Sequence, residues 1–159
     1  IKNENKFINY YMSCNDWIFD KNKNLPEPIY DLKIASSKDG INWNYDGDVA
    51  IKLKKNWGGI SNATVIFKNK KFHMWFSYRH KFDYRTSPEK AYKIGYAYSK
   101  DAFNWKLGEF ELVADKDNFL GDNVMQAYPN VFEFNEKIYM LYNGNDFGKK
   151  GIYLAEFIS

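Results

Sequence analysis

Several large classes of protein are excluded by what the sequence lacks. Cys14 is the only cysteine, so there is no internal disulfide and a reducing compartment is favoured. One cysteine and two histidines do not make a zinc site of the usual composition, and we expect no metal and no cofactor. No apolar run reaches the roughly 20 residues that span a membrane, and no signal peptide is visible. We therefore expect no membrane partner and a cytoplasmic location.

The sequence also has no strong excess of one charge. Its 23 basic and 20 acidic residues give a net charge of +3, which is too small and too mixed for a nucleic-acid-binding surface. No long stretch shows helical periodicity with caps. Aromatic residues, in contrast, make up 19% of the chain. Aromatic side chains favour strands and also provide flat surfaces for sugar rings.

Three segments of the sequence repeat one another. They are residues 6–12 (KFINYYM), 71–77 (KFHMWFS) and 137–143 (KIYMLYN), which begin 65 and 66 residues apart. A second motif occurs at residues 37–43 (SKDGINW) and 99–105 (SKDAFNW), 62 residues apart. Regular repetition of several short strands per unit is typical of a radial β-array.

The repeats predict an all-β fold, an antiparallel β-propeller of the five-bladed type. One unit is complete, with strands predicted at 60–67, 71–78, 91–99 and 105–113. We divide the partial propeller domain, residues 1–159, into an incomplete blade (1–50), a complete blade (51–115) and a blade without its outer strand (116–159). This is about two and a half blades. The chain begins with Ile1 rather than Met, and closing the ring requires a missing N-terminal half or a second copy.

Strand direction sorts the motifs between the two ends of the blades. Adjacent strands are antiparallel, so the starts of strands one and three and the end of strand two share one end, here called the near face. Asp39 and Asp101 follow strand three and belong to the opposite end, here called the far face. Because these two residues repeat, we expect them to organise turns rather than to catalyse.

The near face collects residues that suit a saccharide ligand. Aromatic rings stack on the apolar side of a pyranose, while amides and charged groups bond its hydroxyls. Arg79 is a candidate for bidentate binding of a carboxylate or phosphate, with an exposed rim position as the alternative. The long connections add Tyr30, Tyr84 and Arg85. The predicted substrate-binding residues are Trp17, Asn62, Tyr78, Arg79, His80, Tyr128, Asn143, Asn145 and Asp146.

Carboxylates on the near face are candidates for glycosidic chemistry. A glycosidase needs two carboxyl groups about 5–10 Å apart, one acting as an acid and the other as a base or nucleophile. The candidates are Asp122, Asp16 and Glu27. For each of them the alternative is a solvated loop carboxylate without a catalytic role.

Residues 71–79, 92–101, 128–132 and 139–145 resemble the predicted glycosidases of the arabinanase, levansucrase and invertase superfamily. They are most similar to a bacterial group that is often encoded with surface-polysaccharide genes. The resemblance implies a five-bladed propeller, of which this chain is the C-terminal half. The sequence departs from the group at Asn62-Ala63, where an Arg-Pro pair is usual, and at residues 124–127, where Glu and Cys are usual. The related hydrolases also take one essential carboxylate from a first blade, which this chain does not contain.

Three functions remain open on this basis. The leading hypothesis is a glycoside hydrolase-like enzyme acting on a polysaccharide or oligosaccharide, of which the present fragment alone is expected to be inactive. The second is a sugar-binding propeller without catalysis. The third is a propeller that binds proteins, which large exposed apolar patches would favour.

Overall fold

The protein is built almost entirely of antiparallel strands. The computed structural model describes residues 1–3, 5–21, 24–113 and 121–158. The strands are β1 (Lys2–Asn3), β2 (Lys6–Asp20), β3 (Leu25–Ser37), β4 (Trp43–Asn44), β5 (Val49–Ile51), β6 (Trp57–Lys68), β7 (Lys71–His80), β8 (Lys93–Ser99), β9 (Lys106–Gly108), β10 (Ala127–Phe134), β11 (Lys137–Asn143) and β12 (Ile152–Glu156).

These strands form three groups in chain order. The first group is the β2–β3 hairpin with β1 on β2 and both β4 and β5 on β3; the second is β6-β7-β8-β9; the third is β10-β11-β12. The helical segments in the described ranges are a 3-10 turn at Pro88–Lys90 and the four-residue segment Asn145–Gly148. The all-β prediction is therefore confirmed. No helix in the described ranges has the length and apolar character needed to cross a membrane.

The sequence repeats coincide with equivalent strands. The three repeated segments begin β2, β7 and β11 at Lys6, Lys71 and Lys137. Asn69 and Lys70, both with positive φ, connect β6 to β7, as a two-residue hairpin turn requires. The sheets do not close on themselves, and the third group ends at β12. The chain is thus an open, partial ring, as the sequence predicts.

Strand β7 lies at the centre of the packing, and its side chains alternate between two cores. Met74 and Phe76 join the cluster shared with the first group, in which Leu32 is also buried. Trp75 joins the cluster shared with the third group, together with Met140. A strand covered on both faces has no solvent side, and this explains the unbroken apolar run in residues 74–76.

The first hairpin is longer than the sequence predicts. We expected strand two of this blade to end near Asn15 and Glu27 to lie in a connection, but β2 extends to Asp20 and β3 begins at Leu25. The paired extension includes Trp17 opposite Pro28 and a bulge between Cys14 and Asp16. Prolines indicate loops, yet they are accepted on a free strand edge that has no partner for an N–H. The hairpin thereby forms an arm beyond the blade.

The first two groups are joined at the near face by a single parallel bridge between Tyr30 of β3 and Gly59 of β6. A Cβ atom on Gly59 would lie 2.2 Å from the Tyr30 ring. Only glycine leaves room for this ring, because 2.2 Å is far below van der Waals contact. The continuous sheet that results differs from the separate radial sheets that the repeats predict.

Candidate functional site

The repeated aspartates of the far face accept hydrogen bonds from groups of their own turns. Asp39 accepts hydrogen bonds of 2.8–2.9 Å from the backbone N–H groups of Ile41 and Asn42 and from the Asn42 side-chain amide. Asp101 accepts the equivalent bonds at 2.7–2.9 Å. In Asp39 these bonds hold the carboxyl pKa well below its usual range. In Asp101 burial opposes them, but the bonds dominate and the pKa is again lowered. Both carboxylates therefore stabilise the turns in which they lie.

At the near face, hydrogen bonds bring the strand ends of the second and third groups together. The backbone N–H of Tyr128 donates to Ser77 Oγ at 2.7 Å, and Ser77 is fully buried. The side-chain amide of Asn62 donates to the carbonyl of Pro129 at 3.2 Å. Tyr128 and Asn62 both have positive φ. The antiparallel order of the strands, inferred from the sequence, thus predicted that the end of β7 and the start of β10 lie at the same face.

Arg79 lies at the base of this region, with only 1% of its surface exposed. Its Nη2 donates to the Pro28 carbonyl at 2.7 Å, and its Nη1 donates to the His80 carbonyl at 2.9 Å. Its Nε donates to the Tyr30 hydroxyl at 2.9 Å. The guanidinium carbon also lies 4.1 Å from the Tyr84 ring centre. Arg79 thus braces β7 against β3 and is not at an exposed rim.

Three tyrosines lie near this guanidinium, and a fourth packs against one of them. Together they form what is here called the tyrosine cluster: Tyr30, Tyr84, Tyr92 and Tyr128. The Tyr30 and Tyr92 hydroxyls are 2.7 Å apart. The Tyr92 ring centre is 5.7 Å from those of both Tyr84 and Tyr128. Burial raises the pKa of each of these phenols. The four hydroxyls therefore stay protonated at neutral pH and can donate hydrogen bonds.

Glu27 is a buried carboxylate beside the tyrosine cluster. Its Oε2 accepts a hydrogen bond of 2.9 Å from the Tyr84 hydroxyl, and its Oε1 lies 3.4 Å from Nη1 of Arg85. The Arg85 side chain is 59% exposed, whereas that of Glu27 is 11% exposed. Of the three predicted catalytic carboxylates, Glu27 is the one in contact with this cluster through the bonds described.

The other two carboxylates have different surroundings. Asp122 has 1% of its surface exposed, and its Oδ2 accepts a hydrogen bond of 2.7 Å from the buried Tyr142 hydroxyl. Asp16 is exposed on the arm and accepts a hydrogen bond of 2.8 Å from the backbone N–H of Trp17. Asp122 is therefore held inside the third group, while Asp16 is a solvated side chain.

The remaining predicted binding residues divide between packed and open positions. Tyr78 stacks on Trp57, with ring centres 4.1 Å apart, and His80 is half-buried. Asn145 is tied to the chain because its Oδ1 accepts the N–H groups of two residues, Val124 and Met125. The open or half-open positions are Trp17, Asn62, Asn143 and Asp146.

A small groove opens between the third group and the loop that contains Tyr84. It has a volume of about 200 Å³ and is lined by residues that include Tyr84, Arg85, Asn145, Asp146 and Phe147. A larger groove of about 690 Å³ lies between the second and third groups and is lined by Trp75 and Tyr96, among others, but by none of the predicted site residues. In the described ranges, no three His, Cys, Asp or Glu side chains are placed to hold a metal ion.

Two aromatic residues at the near face were not predicted from the sequence. Tyr92 precedes β8, and the rule that places strand-three starts at the near face would have found it. Phe147 packs within 6.5 Å of Tyr128, measured between ring centres. It lies in a turn where Asp146 and Phe147 both have positive φ, and no local sequence pattern indicates this conformation.

Comparisons with known proteins bear first on the fold. The chain is similar to a GH32 beta-fructofuranosidase from Bombyx mori, with 16% identity and a TM-score of 0.64, covering 100% of this chain and 32% of that one. It is also similar to a thermostable family-43 glycoside hydrolase, with 16% identity and a TM-score of 0.59, covering 93% and 55%. An alpha-L-arabinanase from Cellvibrio cellulosa in complex with arabinohexaose has 18% identity and a TM-score of 0.56, covering 80% and 42%.

These structural neighbours are glycoside hydrolases of the arabinanase, GH43 and GH32 propeller superfamily. The predicted propeller fold and the predicted resemblance are therefore confirmed. At these identities the likeness is one of fold, because a fold hosts many functions.

The chain also has relatives among known protein sequences. Two uncharacterized proteins from two strains of Mycobacterium tuberculosis are each 28% identical over 126 residues. The match covers 78% of this chain and 39% of each relative, so the chain spans well under half the length of these proteins. No protein-family model matches the chain.

Proposed function

We propose that the protein is carbohydrate-active and that its near face binds a polysaccharide or oligosaccharide for glycoside hydrolysis. The single observation that carries this proposal is the buried Glu27 carboxylate, hydrogen-bonded to Tyr84 at 2.9 Å within the tyrosine cluster. Aromatic rings beside a buried carboxylate are what a glycosidase uses to hold a sugar and to transfer a proton. The propeller fold shared with glycoside hydrolases supports the same conclusion.

Within this proposal Glu27 is one of the two carboxyl groups of the reaction. The Arg85 contact at 3.4 Å is long for an ion pair and involves an exposed side chain, so a ligand can displace it at little cost. The second carboxyl group comes from Asp122 or from a blade outside this chain, as in the family that the sequence resembles.

A sugar-binding propeller without hydrolysis is the second candidate. It is favoured by the replacement of site-facing residues of the resembled family at Asn62-Ala63 and at residues 124–127. Asn62 here donates to a backbone carbonyl at 3.2 Å, whereas an arginine at that position would present a charged fork. Both candidate functions require a saccharide to bind at the near face. They differ only in whether the bound saccharide is hydrolysed.

Glu27→Gln in the natural full-length protein separates the two candidates. Glutamine keeps the size and an acceptor for the Tyr84 hydroxyl but cannot transfer a proton. Hydrolysis of a panel of bacterial surface polysaccharides and arabinan- or fructan-type oligosaccharides is measured as released reducing ends, and binding is measured calorimetrically. We expect turnover to fall by about 100-fold or more with binding retained, the range for loss of a general acid or base.

Asp16→Asn is the matched control, because it removes an exposed carboxylate of the same face. It should leave turnover unchanged. Full turnover in folded Glu27→Gln would exclude Glu27 from the chemistry. Tight binding without any turnover in the unaltered protein would establish the sugar-binding alternative instead.

A further inference from the structure

Glu27 lies in a part of the arm that has little backbone support. Its neighbours Pro26 and Pro28 have no N–H group to donate. Strand β3 pairs with β2 along this stretch, but among the described strands its other edge has no partner before Tyr30. A carboxyl group that transfers a proton must be held in place, because small displacements of a reacting group cost large factors in rate. Side chains from outside the arm therefore have to support Glu27.

Arg79 supports the main chain next to Glu27. Its Nη2 donates to the Pro28 carbonyl at 2.7 Å, and its Nε donates to the Tyr30 hydroxyl at 2.9 Å. Because Arg79 is almost fully buried, water does not compete for these two bonds. They attach β3 to β7 directly after Glu27.

Arg79 also supports the ring that holds the Glu27 carboxylate. Its guanidinium carbon lies 4.1 Å from the Tyr84 ring centre, and the Tyr84 hydroxyl donates to Glu27 Oε2 at 2.9 Å. Burial raises the pKa of the Tyr84 hydroxyl, so this donor keeps its hydrogen at neutral pH. The described contacts include no ion pair between Arg79 and Glu27. Arg79 thus contacts both groups that fix Glu27 and acts on it through them.

We propose that Arg79 is a positioning residue for Glu27, which it holds in place for proton transfer without contacting the saccharide. This inference rests on the proposed function, because it gives Arg79 a part in the same reaction. The sequence suggested bidentate binding of a ligand by Arg79. Its burial is incompatible with that role, since only 1% of its surface is exposed.

Two substitutions of Arg79 in the natural full-length protein test its role. Lysine keeps the charge, but its single nitrogen cannot reproduce the fork that reaches Pro28 and Tyr30 together. Glutamine leaves no buried charge and remains informative if Arg79→Lys does not fold. In either folded variant we expect kcat to fall by about tenfold or more. KM should stay nearly unchanged, because the residues that bind the saccharide are still present.

A double variant shows whether Arg79 acts through Glu27. In Glu27→Gln the proton transfer by residue 27 is already lost, so a further substitution of Arg79 should reduce kcat by no more than about twofold. Asp101→Asn is the control for a general loss of stability. It changes a turn of the far face, so it should lower stability and leave kcat unchanged.

The outcomes separate this inference from the proposed function. A loss of kcat in folded Arg79→Lys or Arg79→Gln that disappears in the Glu27→Gln background supports the inference. Unchanged kcat in the folded Arg79 variants, while Glu27→Gln loses turnover, overturns it and leaves the proposed function standing. Equal losses of kcat in both backgrounds also overturn it, because Arg79 then acts independently of Glu27. Full turnover in folded Glu27→Gln, or no turnover in the unaltered protein, overturns both.

Discussion

Asp101 illustrates how a carboxylate in a repeated motif is fixed by its immediate neighbours. Ser99, Asp101 and Asn104 form a closed set of hydrogen bonds, and Ser37, Asp39 and Asn42 form the same set in the other copy. Such a set depends only on residues within five positions of one another. The sequence motif therefore predicted this turn in full, including its structural role.

Asp101→Asn should lower stability by about 1–2 kcal/mol, since it replaces a charged acceptor of several N–H groups with a neutral one. The folded-state pKa of this carboxyl is lowered, so its contribution is complete above the unfolded pKa of about 4 and is lost as the pH falls further. Thermal unfolding followed by circular dichroism from pH 7 to pH 2 tests this. The difference between the two proteins should shrink below pH 4. A constant difference would show that the charge is not responsible.

Glu27 and Arg79 mark the limit of such local reasoning. Both were singled out in the sequence, but their partners Tyr84 and Tyr30 are 57 and 49 residues away. Nothing near Arg79 in the chain indicates that its donors turn inward to carbonyls and a phenol. Burial and partner identity at these positions depend on how two blades meet.

At the scale of the elements, the sequence predicted which strands form and which of them pair. It predicted less well where each strand begins and ends. Segments rich in aromatic and apolar residues, and the turn at Asn69, predicted β6 and β7 well. The extended β2–β3 arm was missed because Pro26 and Pro28 indicate a loop, while the structure accepts them at a free edge. The arm matters because it delivers Glu27 and Tyr30 to the near face.

Gly59 controls how the arm meets the second sheet. Gly59→Ala places a methyl group 2.2 Å from the Tyr30 ring, and we expect a loss of about 1–3 kcal/mol or more from this overpacking. Chemical denaturation measures the change. In a Tyr30→Ala background, the same substitution should cost much less because the clash is gone. Equal costs in both backgrounds would mean that the Tyr30–Gly59 contact does not limit the packing.

At the scale of the whole molecule, the open ring explains the distribution of apolar side chains. Large residues remain exposed on the arm and on the third group, among them Trp17, Phe19, Phe134 and Leu154. Propellers cover such surfaces by closing the ring. The chain spans 39% of the length of its sequence relatives, and we propose that a further part of the natural protein or a second copy covers these surfaces. The number of blades, predicted as five, stays a prediction, because the described strands form an open, partial ring.

The most direct test of the near face as the saccharide site compares Tyr128→Ala with Asp101→Asn in the natural full-length protein. Saccharide affinity is measured by calorimetry, and folding of each variant is checked by circular dichroism. Tyr128→Ala should weaken binding by about 1–3 kcal/mol through loss of a stacking ring and a hydroxyl donor. Asp101→Asn should lower stability without changing affinity. Loss of binding in folded Asp101→Asn, together with unchanged binding in Tyr128→Ala, would place the site at the opposite end of the blades.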